Sequence, residues 1–148
     1  MAKSPDDLAR SVAELLRSRE GTGAAWNIEI EDVREGYARI AMRVRKDMLN
    51  GKAMAHGGMI FALADTAFAY ACNSRNVSTV AQQASIVFLA QAHEGDRLVA
   101  EAEEQSLAGR SGVYTVNVRN DKGENIAVFQ GLSRSLGVPA IEDDANGN

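Results

Sequence analysis

The sequence is short of the side chains that most often bind metals or form cross-links: its 148 residues include one cysteine, Cys72, and two histidines, His56 and His93. One thiol excludes a disulfide framework within the chain and any multi-cysteine zinc site, and two distant histidines cannot supply a three-histidine centre, so no metal site is expected. An excess of positive charge is also missing. The formal net charge is −4, and no long-range field draws nucleic acid or an anionic membrane surface, neither of which is an expected partner. Nor is there a membrane-length apolar run. The longest, Gly57 to Cys72, carries Asp65 and falls short of the roughly 20 residues a spanning helix needs. The start of the chain, Met1 to Asp7, has no apolar segment resembling a signal peptide, so a cytoplasmic, reducing location is expected. Catalysis must therefore lean on carboxylates, hydroxyls, amides and the backbone.

What is present reads as one globular domain over residues 1–148, with 45% hydrophobic and 24% charged residues. Such a chain can bury about 70% of its unfolded surface. Ser4 as N-cap, Pro5 at the first helical position and Asp6 and Asp7 in the first turn predict an N-terminal helix over about 5–18. Leu8, Val12, Leu15 and Leu16 form its apolar stripe, and Gly21 and Gly23 end it. Trp26, Ile28 and Ile30, then Ala38, Ile40, Met42 and Val44, alternate with polar residues around a turn at Glu35-Gly36, as in two half-buried antiparallel strands. A glycine-containing loop leads into Met59 to Cys72, a helix apolar on every side and therefore enclosed. Four more strands follow, Ala84–Leu89, Arg97–Glu104, Val113–Arg119 and Ile126–Arg134, with links short enough to suggest antiparallel neighbours. The polar tail, about 138–148, is expected to fray. This order predicts an α+β fold: a curved antiparallel sheet wrapped around one long central apolar helix.

Asp65 is the only charge on that helix. A carboxylate there is either a structural one bonded to backbone or to Thr66, or one whose environment is tuned for catalysis. Ahead of it, Asn50 and His56-Gly57-Gly58 lie where a helix begins. Glycines allow close approach, and the first N–H groups of a helix can stabilise a developing oxyanion. The plainer alternative is a turn with a capping histidine.

Together, Asn50, His56-Gly57-Gly58 and Leu63-Ala64-Asp65-Thr66-Ala67 resemble the signature of the hot-dog acyl-CoA thioesterases, particularly the PaaI type. The similarity runs from about Trp26 to Gly137, including Ile86–Leu89 and Ser133–Gly137. It implies a hot-dog fold and hydrolysis of acyl-CoA thioesters, with phenylacetyl-CoA or its hydroxylated forms as candidate substrates. It also implies that Asp65 is nucleophile or general base and that Asn50, His56, Gly57 and Gly58 surround the thioester. Coenzyme A is then part of the substrate, and no separate cofactor is expected. Family members carry a small polar residue near the start of the third strand, for which Gln82 is the candidate and Ser85 the runner-up. Gly109-Arg110-Ser111 resembles the segment lining the coenzyme A path, with Arg110 a candidate phosphate contact; Lys52, Arg75 and Arg134 are unranked.

Seven residues separate Gly58 from Asp65, about 10 Å along a helix, whereas catalytic partners must meet within about 3 Å. Two chains solve this, one giving the helix start and the other Asp65. A homodimer is thus the expected minimal unit, and the family resemblance extends this to a homotetramer. The alternatives are a hot-dog dehydratase or hydratase, which would want a histidine base, and a non-catalytic acyl-CoA-binding protein. A regulator of the second kind would need a DNA-binding element, and the residues before Trp26 predict one acid-capped helix only. Gly131-Leu-Ser133-Arg-Ser135 lacks the last glycine of a nucleophile elbow.

Overall fold

The computed structural model describes residues 2–142. Helix α1 spans Pro5–Arg19, with the Ser4 hydroxyl accepting from the Asp7 N–H at 3.1 Å and Arg17 and Arg19 in the last turn. Its buried residues Ala9, Val12 and Ala13 pack the helix against the first strand. Gly21 and Gly23 do more than end it. They lie within a second, five-residue helix, α2 (Gly21–Ala25).

Strands β1 (Glu29–Arg34) and β2 (Tyr37–Arg43) form a hairpin turned at Gly36, whose φ of +72° suits glycine. A short 3₁₀ turn at Lys46–Met48 leads to α3 (Gly57–Cys72), and then come β3 (Thr79–Phe88), β4 (Arg97–Ala108), β5 (Ser111–Arg119) and β6 (Asn125–Ser135). All six strands join one antiparallel sheet in the order β1-β2-β4-β5-β6-β3. The short link between β3 and β4 therefore does not make them neighbours: β3 pairs with β6 at the far edge. Three strand spacings are about 14 Å, which the link 89–96 covers easily, since its extended reach is about 26 Å.

The sheet's inward residues, among them Ile40, Met42, Leu98, Ala100, Tyr114, Val116 and Phe129, are buried against Leu63, Ala64, Ala67, Phe68 and Ala71 of α3. The Phe68 ring meets Tyr114 edge-on at 5.4 Å between centroids and Phe129 at 5.8 Å. The chain thus has the α+β, helix-in-curved-sheet architecture that the sequence predicts. No helix among the described residues is long and apolar enough to cross a membrane.

The start of the predicted tail is not frayed. Ser78 and Val138 share a backbone bond, Ala140 N–H donates to Asn76 O at 3.3 Å, Ile141 N–H donates to the Asn76 side chain at 2.9 Å, and Ile141 is buried. Residues 138–142 form a strap along the entry to β3, and the rest of the predicted tail lies outside the described residues.

Gly131 on β6 lies under the Phe68 ring, where an added Cβ would sit 2.8 Å from Phe68 Cζ. Gly131→Ala must push that ring against Tyr114 and Phe129, at a cost of about 1–3 kcal/mol. Thermal unfolding should show a midpoint several degrees lower; an unchanged midpoint would contradict the packing described.

Candidate active site

Asp65 projects from the middle of α3 and is half-buried. Its carboxylate makes no hydrogen bond or ion pair among the described residues, and the Thr66 hydroxyl donates to Ala62 O at 2.7 Å instead. The structural alternative involving Thr66 is therefore not realised. Burial, with no donor to oppose it, raises the Asp65 carboxyl above the usual carboxylate range. The side chain lines a groove of about 400 Å³ that follows α3 past Thr66 and Ala69 to Asn73, with the β3 entry and Ala140 of the strap on one side and Leu16, Glu20 and Thr22 also contributing to its walls.

At the start of the same helix, His56 is the N-cap, and its Nδ1 accepts from the Gly58 N–H at 3.0 Å. A neutral imidazole bonded this way carries its proton on Nε2. Gly58 N–H is therefore engaged within the chain, whereas Gly57 N–H has no acceptor among the described residues. That free donor lies at the positive end of the helix dipole. A Cβ at Gly57 would sit 3.0 Å from Phe88 Cζ, so glycine here lets the end of β3 close over the helix start.

Asn50 organises the preceding loop. Its Oδ1 accepts from the N–H groups of Lys52 at 2.9 Å and Met54 at 3.2 Å, while Leu49 bridges Ala55 and Ala55 N–H donates to Ala92 O. Asn50, His56, Gly57 and Gly58 are thus gathered at one end of α3. His56 and Gly58 share a cleft with Met48, Leu49 and Met59, separate from the groove that Asp65 lines. A single chain does not bring the helix start and the carboxylate together.

Gln82 is exposed at the bulge where β3 slips register against β6, and Ser85 lies further along the same strand, opposite Gln130. Gly109, Arg110 and Ser111 line another cleft of about 150 Å³ with Arg75, Tyr114 and Ser133. The two arginines there differ. Arg75 is committed to Glu35 at 2.7 Å and Glu104 at 2.6 Å, whereas the Arg110 guanidinium makes no ion pair among the described residues. Ser133 donates to Gly112 O, and the Cys72 thiol is buried and pushed up to about 12. Among the described residues, no three His, Cys, Asp or Glu side chains converge as metal ligands.

Sequence reading missed Glu20 and Tyr70. Glu20 continues the Leu16 face of α1 four residues on, a signal that was present. The Tyr70 hydroxyl stands beside the Glu20 carboxylate, fully buried and completing no hydrogen bond among the described residues.

Comparison with known proteins identifies the family and the fold. The thioesterase superfamily profile matches residues 53–127. The acyl-coenzyme A thioesterase PaaI of Escherichia coli strain K12 is 38% identical over 125 residues, covering 84% of this chain and 89% of that protein. The solved structure of the E. coli PaaI protein from the phenylacetic acid degradation operon superposes with a TM-score of 0.90 at 37% identity, over 92% of this chain and 99% of that one. A thioesterase protein of Streptococcus pneumoniae TIGR4, solved with coenzyme A, gives a TM-score of 0.74 at 27% identity, over 76% of this chain and 88% of that one. With its central helix, its unpaired aspartate and these likenesses taken together, the chain belongs to the thioesterase superfamily and has the hot-dog fold.

Proposed function

We propose that this protein hydrolyses acyl-CoA thioesters at a site shared by two copies of the chain. The observation that carries the reading is Asp65: a desolvated carboxylate lining a groove two helical turns from the Gly57 N–H, neither group having a partner among the described residues. The helix start of one copy polarises the thioester carbonyl, and Asp65 of the other acts on its carbon. As a base, Asp65 takes a proton from water; the hydroxide adds to the carbonyl, the C–S bond breaks, and the proton returns to the leaving thiolate. As a nucleophile, it displaces the thiolate to form a mixed anhydride, which water then opens. Both routes require the ionised carboxylate. His56 holds the helix start in shape, Asn50 shapes the loop before it, and Gln82 lies on the strand beside the groove.

The second copy is supported by the edge of the sheet. Among the described residues strand β3 pairs only with β6, and Val80, Val87, Phe88 and Leu89 leave about half of their surface exposed along that edge. An open apolar edge of this kind invites a partner strand. Pairing of two dimers into a tetramer and a cytoplasmic location belong to the same proposal. Arg110, which makes no ion pair among the described residues, is the candidate contact for the coenzyme A phosphates, in keeping with the coenzyme A held by the S. pneumoniae relative. The likeness to a protein of the phenylacetic acid degradation operon supports phenylacetyl-CoA or its hydroxylated forms as substrates.

Release of free thiol from a panel of acyl-CoAs tests the activity. Asp65→Asn should lower kcat/KM by roughly 100-fold or more while remaining folded. Hybrids of Asp65→Asn chains with chains inactivated at Asn50 should regain activity, because one of their two sites is intact; hybrids as inactive as their parents would place the site within one chain. The purified chain should sediment as a dimer or larger, and a monomer would exclude the shared site.

Because burial raises the Asp65 pKa, kcat/KM should fall with decreasing pH along a limb that begins above the usual aspartate value. The same shift means that ionised Asp65 disfavours the fold, a penalty that grows as pH rises through the window between the unfolded and folded pKa values. Asp65→Asn should therefore unfold at a higher temperature than wild type at neutral pH, and the gap should close in acid. Melting curves against pH would show a constant gap if Asp65 were unperturbed.

A further inference from the structure

The Asp65 groove holds a second carboxylate. Glu20, at the junction of α1 and α2, lines it together with Leu16 and Thr22, and Ala140 of the strap also contributes. These residues lie outside the segment 53–127 that the family profile matches, so this part of the wall comes from the chain's own terminal elements. Glu20 is fixed in place: its N–H donates to Leu16 O at 3.0 Å, its carboxylate accepts from the Thr22 hydroxyl at 3.5 Å, and the buried Tyr70 hydroxyl stands beside it. Among the described residues, no Lys, Arg or His lines the groove. The cation that acts on Glu20 is Arg17, which is not a lining residue and whose Nε donates to Ile28 O at 2.7 Å.

A thioester reacting at Asp65 must place its carbonyl carbon there. Coenzyme A is far too large for a groove of about 400 Å³ and has to extend outward, which leaves the groove to the acyl group. An acyl group running along this groove meets the apolar side chains of Leu16, Ala69 and Ala140, neutral polar groups from Thr66 to Thr79, and the Glu20 carboxylate. We propose that Glu20 is a specificity-determining residue, which together with Asp65 makes the acyl site accept neutral acyl groups and reject those that end in a carboxylate. An anionic end would enter a half-buried space that already holds two carboxylates and no lining cation, where charge repulsion is poorly screened. The inference rests on the acyl-CoA hydrolysis proposed above and narrows it to a substrate class.

The test compares pentanoyl-CoA with glutaryl-CoA, whose acyl groups have the same carbon skeleton and differ in the terminal carboxylate. Wild type should favour pentanoyl-CoA in kcat/KM by more than about tenfold. Glu20→Gln should shrink that ratio roughly tenfold, mainly by raising the glutaryl value, and Thr22→Lys, which adds a cation to the same exposed wall, should shrink it in the same direction. Melting temperature and mass in solution show that each variant is folded, and Thr22→Lys carries the test if Glu20→Gln does not fold. A wild type that hydrolyses both substrates equally, or ratios in the folded variants within about twofold of wild type, would overturn the role of Glu20 while leaving thioester hydrolysis intact. A wild type that hydrolyses no acyl-CoA of any kind would overturn the proposed function itself, and this inference with it.

Discussion

Helix α3 carries almost no polar surface, so it is stable only if the chain encloses it, and the six strands do so by curving around it. Alanines at 62, 64, 67, 69 and 71 keep the helix slim, and Gly131 removes a side chain where Phe68 needs the space. With most of the helix circumference committed to packing, polar chemistry is restricted to its start and to the strip not covered by the sheet. Asp65 stands on that strip. The geometry that makes the core dry is also what strips water from the carboxylate and raises its pKa.

This arrangement separates the two groups that the proposed reaction uses. A helix start is an electropositive donor that costs little to expose, whereas Asp65 is desolvated because it stands in the helix middle, where packing excludes water. Placed on one rigid helix, they cannot converge. The shared site proposed above answers that separation, and Phe88, whose ring covers Gly57, lies on β3 at the edge of the sheet.

How far the sequence could be read followed from how local each determinant is. Ser4, Pro5, Asp6 and Asp7 act within one turn, and the α1 start appears where they place it. Alternation along β2, β4 and β5 depends on near neighbours, and the burial pattern follows it. The position of β3 beside β6 was not legible, because link length limits which strands can pair but does not choose between them. His56, Gly57 and Gly58 were legible as a helix start, and the capping histidine offered as the plainer alternative is the one found, since a cap acts within two residues. Glu20 was hidden for a further reason. Its place on the groove depends on the break between α1 and α2 and on a strap more than a hundred residues later in the chain.

The pairing of β3 with β6 also dictates an order of events during translation. When β3 leaves the ribosome, its only strand partner does not yet exist: residues 89 to 124 must be made before β6 begins. At roughly 5–20 residues per second this leaves α3 and β3 without their final cover for several seconds. The charged residues Glu29, Glu31 and Arg39 of the β1–β2 hairpin pair with one another and with Arg97 of β4 at the opposite side of the sheet and give β3 no shelter. The wall of the groove is completed later still, by residues 138–142. A nascent chain of this protein therefore has Asp65 and its central helix long before the groove that Asp65 lines has all of its walls.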